Sequence, residues 1–186
     1  MQQQSLLDIE KYENWLGWKN KVARLSWNIA YFIFFRPFAT TIFNPWRLFL
    51  LRLFGARLHI RAHVHASVRI WAPWNLTMGA YACLGPHVNC YNVGPIHIGD
   101  YTTISQGVYL CPGSHDLSDP KFPMIPSKIH IEDQVWIATD AFIGPKVHIG
   151  QGAVIGARAA VFRNVEPWAV VGGNPATFIK TRVIKQ

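Results

Sequence analysis

The residue with the clearest chemical potential is a histidine that opens a long irregular segment. His115 follows Pro112, Gly113 and Ser114 and precedes Asp116. An imidazole with an ordinary pKa near 6.5 suits general-base catalysis at neutral pH. Asp116 or Asp119 could fix its tautomer by accepting a hydrogen bond. An ordinary surface histidine is the alternative interpretation.

A six-residue hydrophobic repeat follows this segment. One apolar residue recurs at every sixth position, at Ile131, Ile137, Ile143, Ile149, Ile155 and Val161. A small or β-branched residue comes four positions after each. A period of six fits neither a helix nor a hairpin strand. It is the length of one short strand with its corner, so three units predict one coil of a parallel β-helix.

The same frame continues before His115. Ile98, Ile104 and Leu110 repeat at six, and an earlier run starts at Ile60. Ile98 to Ile131 spans 33 residues, which is one 18-residue coil plus 15. A loop over residues 114 to 130 must therefore leave the column, with His115 on the outer face. We predict about five coils, and the same outward register holds His97, His130 and His148.

Composition restricts the class of protein. The 186 residues are 50% hydrophobic, enough for a core, and the net charge is +8. This charge favours phosphate-bearing ligands or an anionic membrane, and no nucleic-acid motif accompanies it. The three cysteines form no pair motif, which favours a reducing compartment, and Cys111 has no neighbouring base. Because the first residues are polar and are followed by acidic ones, we expect no signal peptide at the N-terminus.

The first 58 residues do not follow the repeat. A helix is expected over residues 5 to 21, and a second from Trp46 to Gly55 with Asn44 as its N-cap. Prolines interrupt the aromatic stretch between them, so no apolar run reaches the roughly 20 residues of a transmembrane helix. These helices could cap the open end of the column.

Membrane contact is the other interpretation of this region, and both can hold. Arg47 and Arg52 flank four leucines in an amphipathic pattern that could lie at a bilayer surface. We therefore expect peripheral membrane contact through residues 27 to 54.

Several strings resemble a known family. They are residues 73–76 (PWNL), 113–116 (GSHD), 135–138 (VWIA), 143–150 (IGPKVHIG), 154–157 (VIGA) and 173–176 (GNPA). Together they resemble the hexapeptide-repeat acetyltransferases, which include galactoside, maltose and serine acetyltransferases. Within them, the chain is most similar to the colanic acid biosynthesis acetyltransferases. The resemblance covers about residues 46 to 182.

The resemblance implies an all-β fold, a left-handed parallel β-helix with an N-terminal helical cap and a short C-terminal tail. The left-handed winding of the coils comes from the resemblance and not from the periodicity, since crossovers between parallel strands are right-handed in nearly all other proteins. The expected division is a helical segment over 1–58, the β-helix over 59–166 and a tail over 167–186. The resemblance further implies a homotrimer. From the cysteines we expect a cytoplasmic protein, and from the amphipathic N-terminal segment a location at the inner face of the membrane.

The resemblance also implies an activity. His115 matches the catalytic histidine, which takes a proton from a sugar hydroxyl while the oxygen attacks acetyl-CoA. The acceptor would be a bacterial polysaccharide precursor or a related glycoside, and no metal is expected. The residues matching positions that bind coenzyme A are Trp136, Thr139, Ala157, Arg163 and Lys180. The residues proposed to contact the acceptor are His87, Asn89, Tyr91 and Asp116.

Two departures from the family's motifs leave the identity of the acceptor undetermined. Gly85 stands where galactoside enzymes have an asparagine that contacts the sugar, and the loop lacks their second histidine pair. Two alternatives to an acetyltransferase remain. A carbonic anhydrase on the same scaffold needs three zinc-binding histidines, and its HxxxxH spacing is absent. A non-catalytic scaffold or interaction protein would not bind acetyl-CoA.

Overall fold

Two helices precede a column of short strands. In the computed structural model, which describes residues 16 to 185, α1 spans Trp18–Ala30 and continues as a π-helical turn over Tyr31–Phe35. A 3-10 turn, Thr41–Phe43, leads into α2, Asn44–Leu53. Residues 5 to 15 of the first predicted helix lie outside the described residues, so α1 begins close to where that prediction ends.

Asn44 does not cap α2 as expected. It is the first helical residue, and its side-chain amide accepts a hydrogen bond from the Val64 N–H (3.1 Å) and donates one to the Ala62 carbonyl (2.9 Å). The amide therefore joins the helix to the first coil of the column, because both bonds satisfy backbone groups at the column's open end.

The expected role at a membrane surface is wrong for Arg47, because its side chain is buried and binds backbone carbonyls of the protein. Arg52 is exposed, although it too binds a backbone carbonyl. Arg47 is only 1% exposed, and its Nε donates to the Val64 carbonyl at 2.9 Å. Its Nη1 donates to the carbonyls of Phe38 and Thr40. Arg52 donates through Nε and Nη2 to the Leu58 carbonyl (3.1 and 2.9 Å). These bonds fix the helical cap on the column, as does the bond from Trp27 Nε1 to the Ile70 carbonyl (2.7 Å).

The column is built from short strands in successive coils. The first two coils contain β1 Arg57–Leu58, β2 His63–Val64, β3 Arg69–Ile70, β4 Leu76–Met78, β5 Cys83–Leu84 and β6 Asn89–Cys90. The third contains β7 Ile96–Ile98, β8 Thr103–Ile104 and β9 Tyr109–Leu110. A hairpin follows, formed by β10 Gly113–His115 and β11 Met124–Pro126. The remaining strands are β12 Ile129–Ile131, β13 Trp136–Ile137, β14 Phe142–Ile143, β15 His148–Ile149, β16 Val154–Ile155, β17 Ala160–Val161, β18 Ala169–Gly172 and β19 Thr177–Thr181.

The strands stack into three parallel sheets. The first sheet has the order β1-β4-β7-β12-β15, and the third sheet has the order β3-β6-β9-β14-β17. The second sheet runs β2-β5-β8-β13-β16-β18 and ends with β19, which pairs antiparallel to β18. The prediction of about five coils is nearly right, since five complete coils are followed by part of a sixth.

The six-residue ladder forms the core, but its register was wrong in the first coil. Ile98, Ile131 and Ile149 are fully buried, whereas Ile60 is 74% exposed. The inward residues of the first coil are Leu58, Val64 and Ile70. A 3-10 turn, Pro73–Asn75, lengthens the connection from β3 to β4. Counting back by six from Met78 therefore arrives two residues too late.

The excursion after β9 contains an antiparallel hairpin. Gly113 pairs with Pro126, and His115 pairs with Met124. The column continues across it without a break, because β12 stacks on β7 in register and β14 stacks on β9. The loop therefore leaves and rejoins the column at the corner between the third and first sheets. Within residues 16 to 185, no helix is long and apolar enough to span a membrane.

Candidate active site

His115 lies half-buried in β10, outside the column, as its position in the repeat predicts. Its Nδ1 is 2.8 Å from the carbonyl oxygen of Phe122. A carbonyl only accepts hydrogen bonds, so Nδ1 carries the proton and Nε2 keeps its lone pair. The Phe122 ring stacks on the imidazole at 4.3 Å between centroids and 9° between planes. The hairpin thus provides a fixed imidazole in the tautomer that a general base at Nε2 requires.

Neither aspartate fixes this tautomer. The Asp116 carboxylate accepts bonds from the N–H and the hydroxyl of Ser118, which hold the pKa of that carboxyl below its ordinary value. Asp119 accepts a bond from the Lys121 N–H at 2.8 Å. Phe122 was missed at the sequence level because any residue type offers the same backbone carbonyl. Its left-handed backbone, with φ of 49°, turns the chain back toward His115.

Trp136 lies on the outer face of the second sheet, and its indole is 48% exposed. Its Nε1 donates to the hydroxyl of Ser105 at 3.0 Å, a partner that the sequence does not reveal. Thr103 and Val154 flank it on the neighbouring strands. The indole therefore has a fixed orientation with one face available to a ligand.

Thr139 and Ala157 stack one coil apart at the corner between the second and third sheets. The Thr139 hydroxyl donates to the Gln106 carbonyl (3.1 Å), and the Thr139 carbonyl accepts from Arg158. Within residues 16 to 185, neither backbone N–H of Thr139 and Ala157 donates a hydrogen bond. Both amides are therefore available to a carbonyl or thioester oxygen beside Trp136.

The two predicted basic contacts lie in different places. Lys180 pairs with Val170 across β19 and β18, so it shares the outer face of the second sheet with Trp136. Arg163 follows β17 at the corner between the third and first sheets. There it lines a cavity of about 670 Å³ between that corner and the C-terminal tail. Trp136, Thr139, Ala157 and Lys180 thus lie on neighbouring surfaces, and Arg163 is separate from them.

Of the predicted acceptor residues, Asn89 and Tyr91 lie in a groove between α1 and the third sheet. This helix–sheet groove has a volume of about 330 Å³. Tyr91 reaches the hairpin, since a Cβ placed on Gly113 would lie 3.5 Å from its ring. His115 and Asp116 are on the same hairpin. His87 does not join this group, because it lies exposed at the corner between β5 and β6.

Cys111 lies beside this group but does not act as a nucleophile with a base. Its thiol approaches the Gly113 carbonyl at 3.6 Å. Burial, and then the neighbouring Cys111, raise the pKa of Tyr109 to about 12. The Tyr109 hydroxyl therefore stays protonated at neutral pH and cannot activate the thiol.

The outward histidines form a row on the first sheet, separate from His115. His97 stacks on His130 at 4.6 Å, and His148 lies edge-on to His130 at 5.1 Å. His130, Glu132 and His148 have donor atoms within 4.8 Å of one another, the one such group in the described part of the chain that could hold a metal ion. Both Glu132 carboxylate oxygens already accept hydrogen bonds, from His148 (2.8 Å) and the Gln151 N–H (2.7 Å).

Similar proteins identify the class. The chain is 43% identical over 160 residues to WcaF of Escherichia coli (strain K12), named as a colanic acid biosynthesis acetyltransferase. The match covers 86% of this chain and 87% of that protein. No protein-family profile matches the chain.

Solved structures share the fold. A hexapeptide-repeat acetyltransferase from Vibrio cholerae O1 biovar eltor, in complex with acetyl coenzyme A, superposes with a TM-score of 0.79 at 25% identity. The match covers 92% of this chain and 94% of that one. A maltose O-acetyltransferase from Clostridium difficile 630 superposes with a TM-score of 0.75 at 25% identity, covering 89% of both chains.

The parallel β-helix and the similarity to named acetyltransferases define an acyltransferase of the β-helix type. The chain belongs to the hexapeptide-repeat acetyltransferases, within which it is similar to the colanic acid biosynthesis enzymes. The predicted left-handed parallel β-helix is thereby confirmed.

Proposed function

We propose that this enzyme transfers the acetyl group of acetyl-CoA to a sugar hydroxyl of a bacterial polysaccharide precursor or a related glycoside, with His115 as the general base. The bond between Nδ1 of His115 and the Phe122 carbonyl carries the proposal, because it leaves Nε2 as the proton acceptor. The relative named for colanic acid biosynthesis and the maltose O-acetyltransferase support a sugar acceptor.

The mechanism is a direct transfer. Nε2 of His115 takes the hydroxyl proton as the sugar oxygen forms a bond to the thioester carbon. The tetrahedral intermediate then breaks its carbon–sulfur bond, and the imidazolium returns a proton to the coenzyme A thiolate. The free N–H groups of Thr139 and Ala157 would stabilise the thioester oxygen, because fixed backbone donors need no reorganisation when negative charge develops.

We propose that the working enzyme is a homotrimer with its active sites between subunits. Within one chain, His115 leaves the corner between the third and first sheets, whereas Trp136 lies on the second sheet. The third sheet separates the two positions. A neighbouring copy that presents its second sheet would bring a coenzyme A site against the hairpin. The low charge of residues 135 to 156 supports such packing.

The test is turnover by a His115→Ala variant. Removal of a general base should lower kcat by about 100-fold or more and leave the KM for acetyl-CoA nearly unchanged. His59→Ala, an exposed histidine in the first coil, is the matched control. The measurement is thiol release from acetyl-CoA with a panel of glycan acceptors. Turnover of the His115 variant near that of wild type would exclude the mechanism.

Contact with a membrane through residues 27 to 54 remains part of the proposal, and it now rests on side chains other than Arg47. The exposed cations of the helical cap are Lys19, Lys21, Arg36 and Arg52, and residues 14 to 99 contain no Asp or Glu. Large apolar side chains are exposed on the same helical cap, including Trp18 (70%), Leu25 (61%), Phe32 (62%), Ile42 (80%) and Leu53 (68%). Cations beside exposed aromatic groups suit an anionic bilayer surface, which would keep the enzyme at the cytoplasmic face.

Sedimentation with vesicles tests this contact. The protein should pellet with phosphatidylglycerol vesicles at low salt, pellet less with phosphatidylcholine, and be released by high salt. Replacing Leu25 and Phe32 by serine should weaken binding. Leu117→Ser, another exposed leucine outside the helical cap, should not. The proposal is contradicted if wild type does not pellet with phosphatidylglycerol vesicles, or if the Leu25 and Phe32 variant pellets with them as wild type does.

A further inference from the structure

The helix–sheet groove has a charge pattern that the proposed reaction does not require. Arg36 enters it from the end of the π-helical turn, and Arg69 enters it from β3. Tyr31 lines the same groove, and burial raises its pKa while the charges of Arg36 and Arg69 lower it. The two cations thus converge on one region from opposite walls of the groove.

Among the residues that the structure describes, neither wall of the groove carries a carboxylate beside these cations. Both walls are drawn from residues 28 to 91, and residues 14 to 99 contain no Asp or Glu. Arg24 adds a third guanidinium at the groove edge, where it lies 3.7 Å above the Trp71 ring. Converging arginines repel one another unless an anion lies between them, and a guanidinium matches the oxygens of a phosphate.

The remaining walls fit a sugar. Trp71 and Tyr91 pack edge to face at 6.0 Å, and Asn89 lines the same groove from β6, opposite Arg69 on β3. Aromatic faces and amides bind sugars through stacking and hydrogen bonds. A volume of about 330 Å³ is at the small end of ligand pockets and suits a monosaccharide with one or two phosphates. Tyr91 also lies close to Gly113 of the hairpin, because a Cβ placed on Gly113 would be 3.5 Å from the Tyr91 ring. This end of the groove is therefore next to the His115 hairpin.

We infer that the acceptor carries a phosphate or diphosphate ester, bound by Arg36 and Arg69, with its sugar extending past Tyr91 toward His115. The inference rests on the proposed function, because it assigns the acceptor of that same site. A phosphate bound by Arg36 and Arg69 would take no part in the acetyl transfer and would position the sugar. A nucleoside diphosphate sugar and a lipid diphosphate sugar share this chemistry.

Binding of inorganic pyrophosphate tests the arginines without knowledge of the sugar. Calorimetry is done on protein saturated with coenzyme A, so that the coenzyme's own phosphate sites are filled. Arg36→Gln and Arg69→Gln should each weaken pyrophosphate binding by about tenfold or more. Arg57→Gln, an exposed arginine on the outer face of the first sheet, is the control and should bind as wild type does.

Two further probes distinguish a nucleotide-linked acceptor from a lipid-linked one. Uridine diphosphate represents a nucleotide-linked acceptor, and vesicles with polyprenyl diphosphate represent a lipid-linked one. The probe that displaces pyrophosphate at the lower concentration identifies the source. The inference is overturned if wild type does not bind pyrophosphate, or if the Arg36 and Arg69 variants bind it as the control does. Acetyl transfer to a neutral glycoside that still depends on His115 would then leave the proposed function intact.

Discussion

At the scale of single residues, the hairpin supplies the hydrogen-bond acceptor that fixes the tautomer of His115. A general base needs a defined tautomer, and the neighbouring aspartates are the expected partners. The structure uses the Phe122 carbonyl instead, because the hairpin brings residue 122 back against residue 115. The sequence identifies the histidine through its place in the repeat. It cannot identify a backbone partner, since carbonyl groups are independent of residue type.

Glu132 gives a pH dependence at the same scale. The Gln151 N–H and then His148 hold the pKa of Glu132 below its ordinary value of 4.5. A carboxyl with a lowered pKa in the folded protein stabilises it above the ordinary pKa, and this stabilisation is lost as the pH falls through the lowered value. Because the pair is partly exposed, the loss should not exceed about 1 kcal/mol.

The measurement is urea unfolding of wild type and Glu132→Gln between pH 3 and 7. The variant should be less stable at pH 7, and the difference should vanish toward pH 3. Glu166→Gln, an exposed glutamate, is the control. A difference between wild type and Glu132→Gln that stays constant over the whole range would contradict the assignment.

At the scale of elements, the six-residue repeat predicts most of the column and fails where a connection changes length. The buried ladder from Ile98 to Val161 is as predicted. The first coil is displaced by two residues, because the Pro73–Asn75 turn adds length at a corner without changing the strands. Hydrophobic spacing gives the period of a repeat, but it does not show at which corner extra residues are placed.

Paired substitutions of one residue type test this register. Ile98→Ala removes a fully buried side chain and should cost about 2 to 5 kcal/mol of unfolding free energy. Ile60→Ala removes one that is 74% exposed and should cost no more than about 0.5 kcal/mol. Thermal and urea unfolding of both variants provide the measurement. A large loss for Ile60→Ala would restore the register in which it faces the core.

The helical cap shows why charge patterns mislead at this scale. The sequence predicts that Arg47 is a surface cation beside four leucines. In the structure it is buried and binds three carbonyls at the open end of the column. Burial lowers its pKa, and no amphipathic pattern contains that information. The cations of the groove, Arg36 and Arg69, are likewise far apart in sequence and meet only through the packing of α1 on the third sheet.

At the scale of the whole molecule, the separation of His115 from Trp136 leads to a prediction about assembly. The purified protein should have a mass of about 63 kDa by light scattering, three times the 21.1 kDa of one chain. If the proposed trimer is correct, specific activity should fall on dilution as trimers dissociate, because the proposed site combines residues of two subunits. Full activity in a species of one chain would contradict a shared site.

The uninterrupted stacking of strands across the hairpin has a consequence for how such enzymes diversify. Since β12 rests on β7 and β14 on β9, the excursion is an appendage whose length and composition can change without cost to the scaffold. Evolution, or a protein engineer, could exchange residues 116 to 121, which lie between His115 and Phe122 at the tip of the hairpin, as a cassette. The chain thereby separates an inherited framework from a replaceable selectivity element.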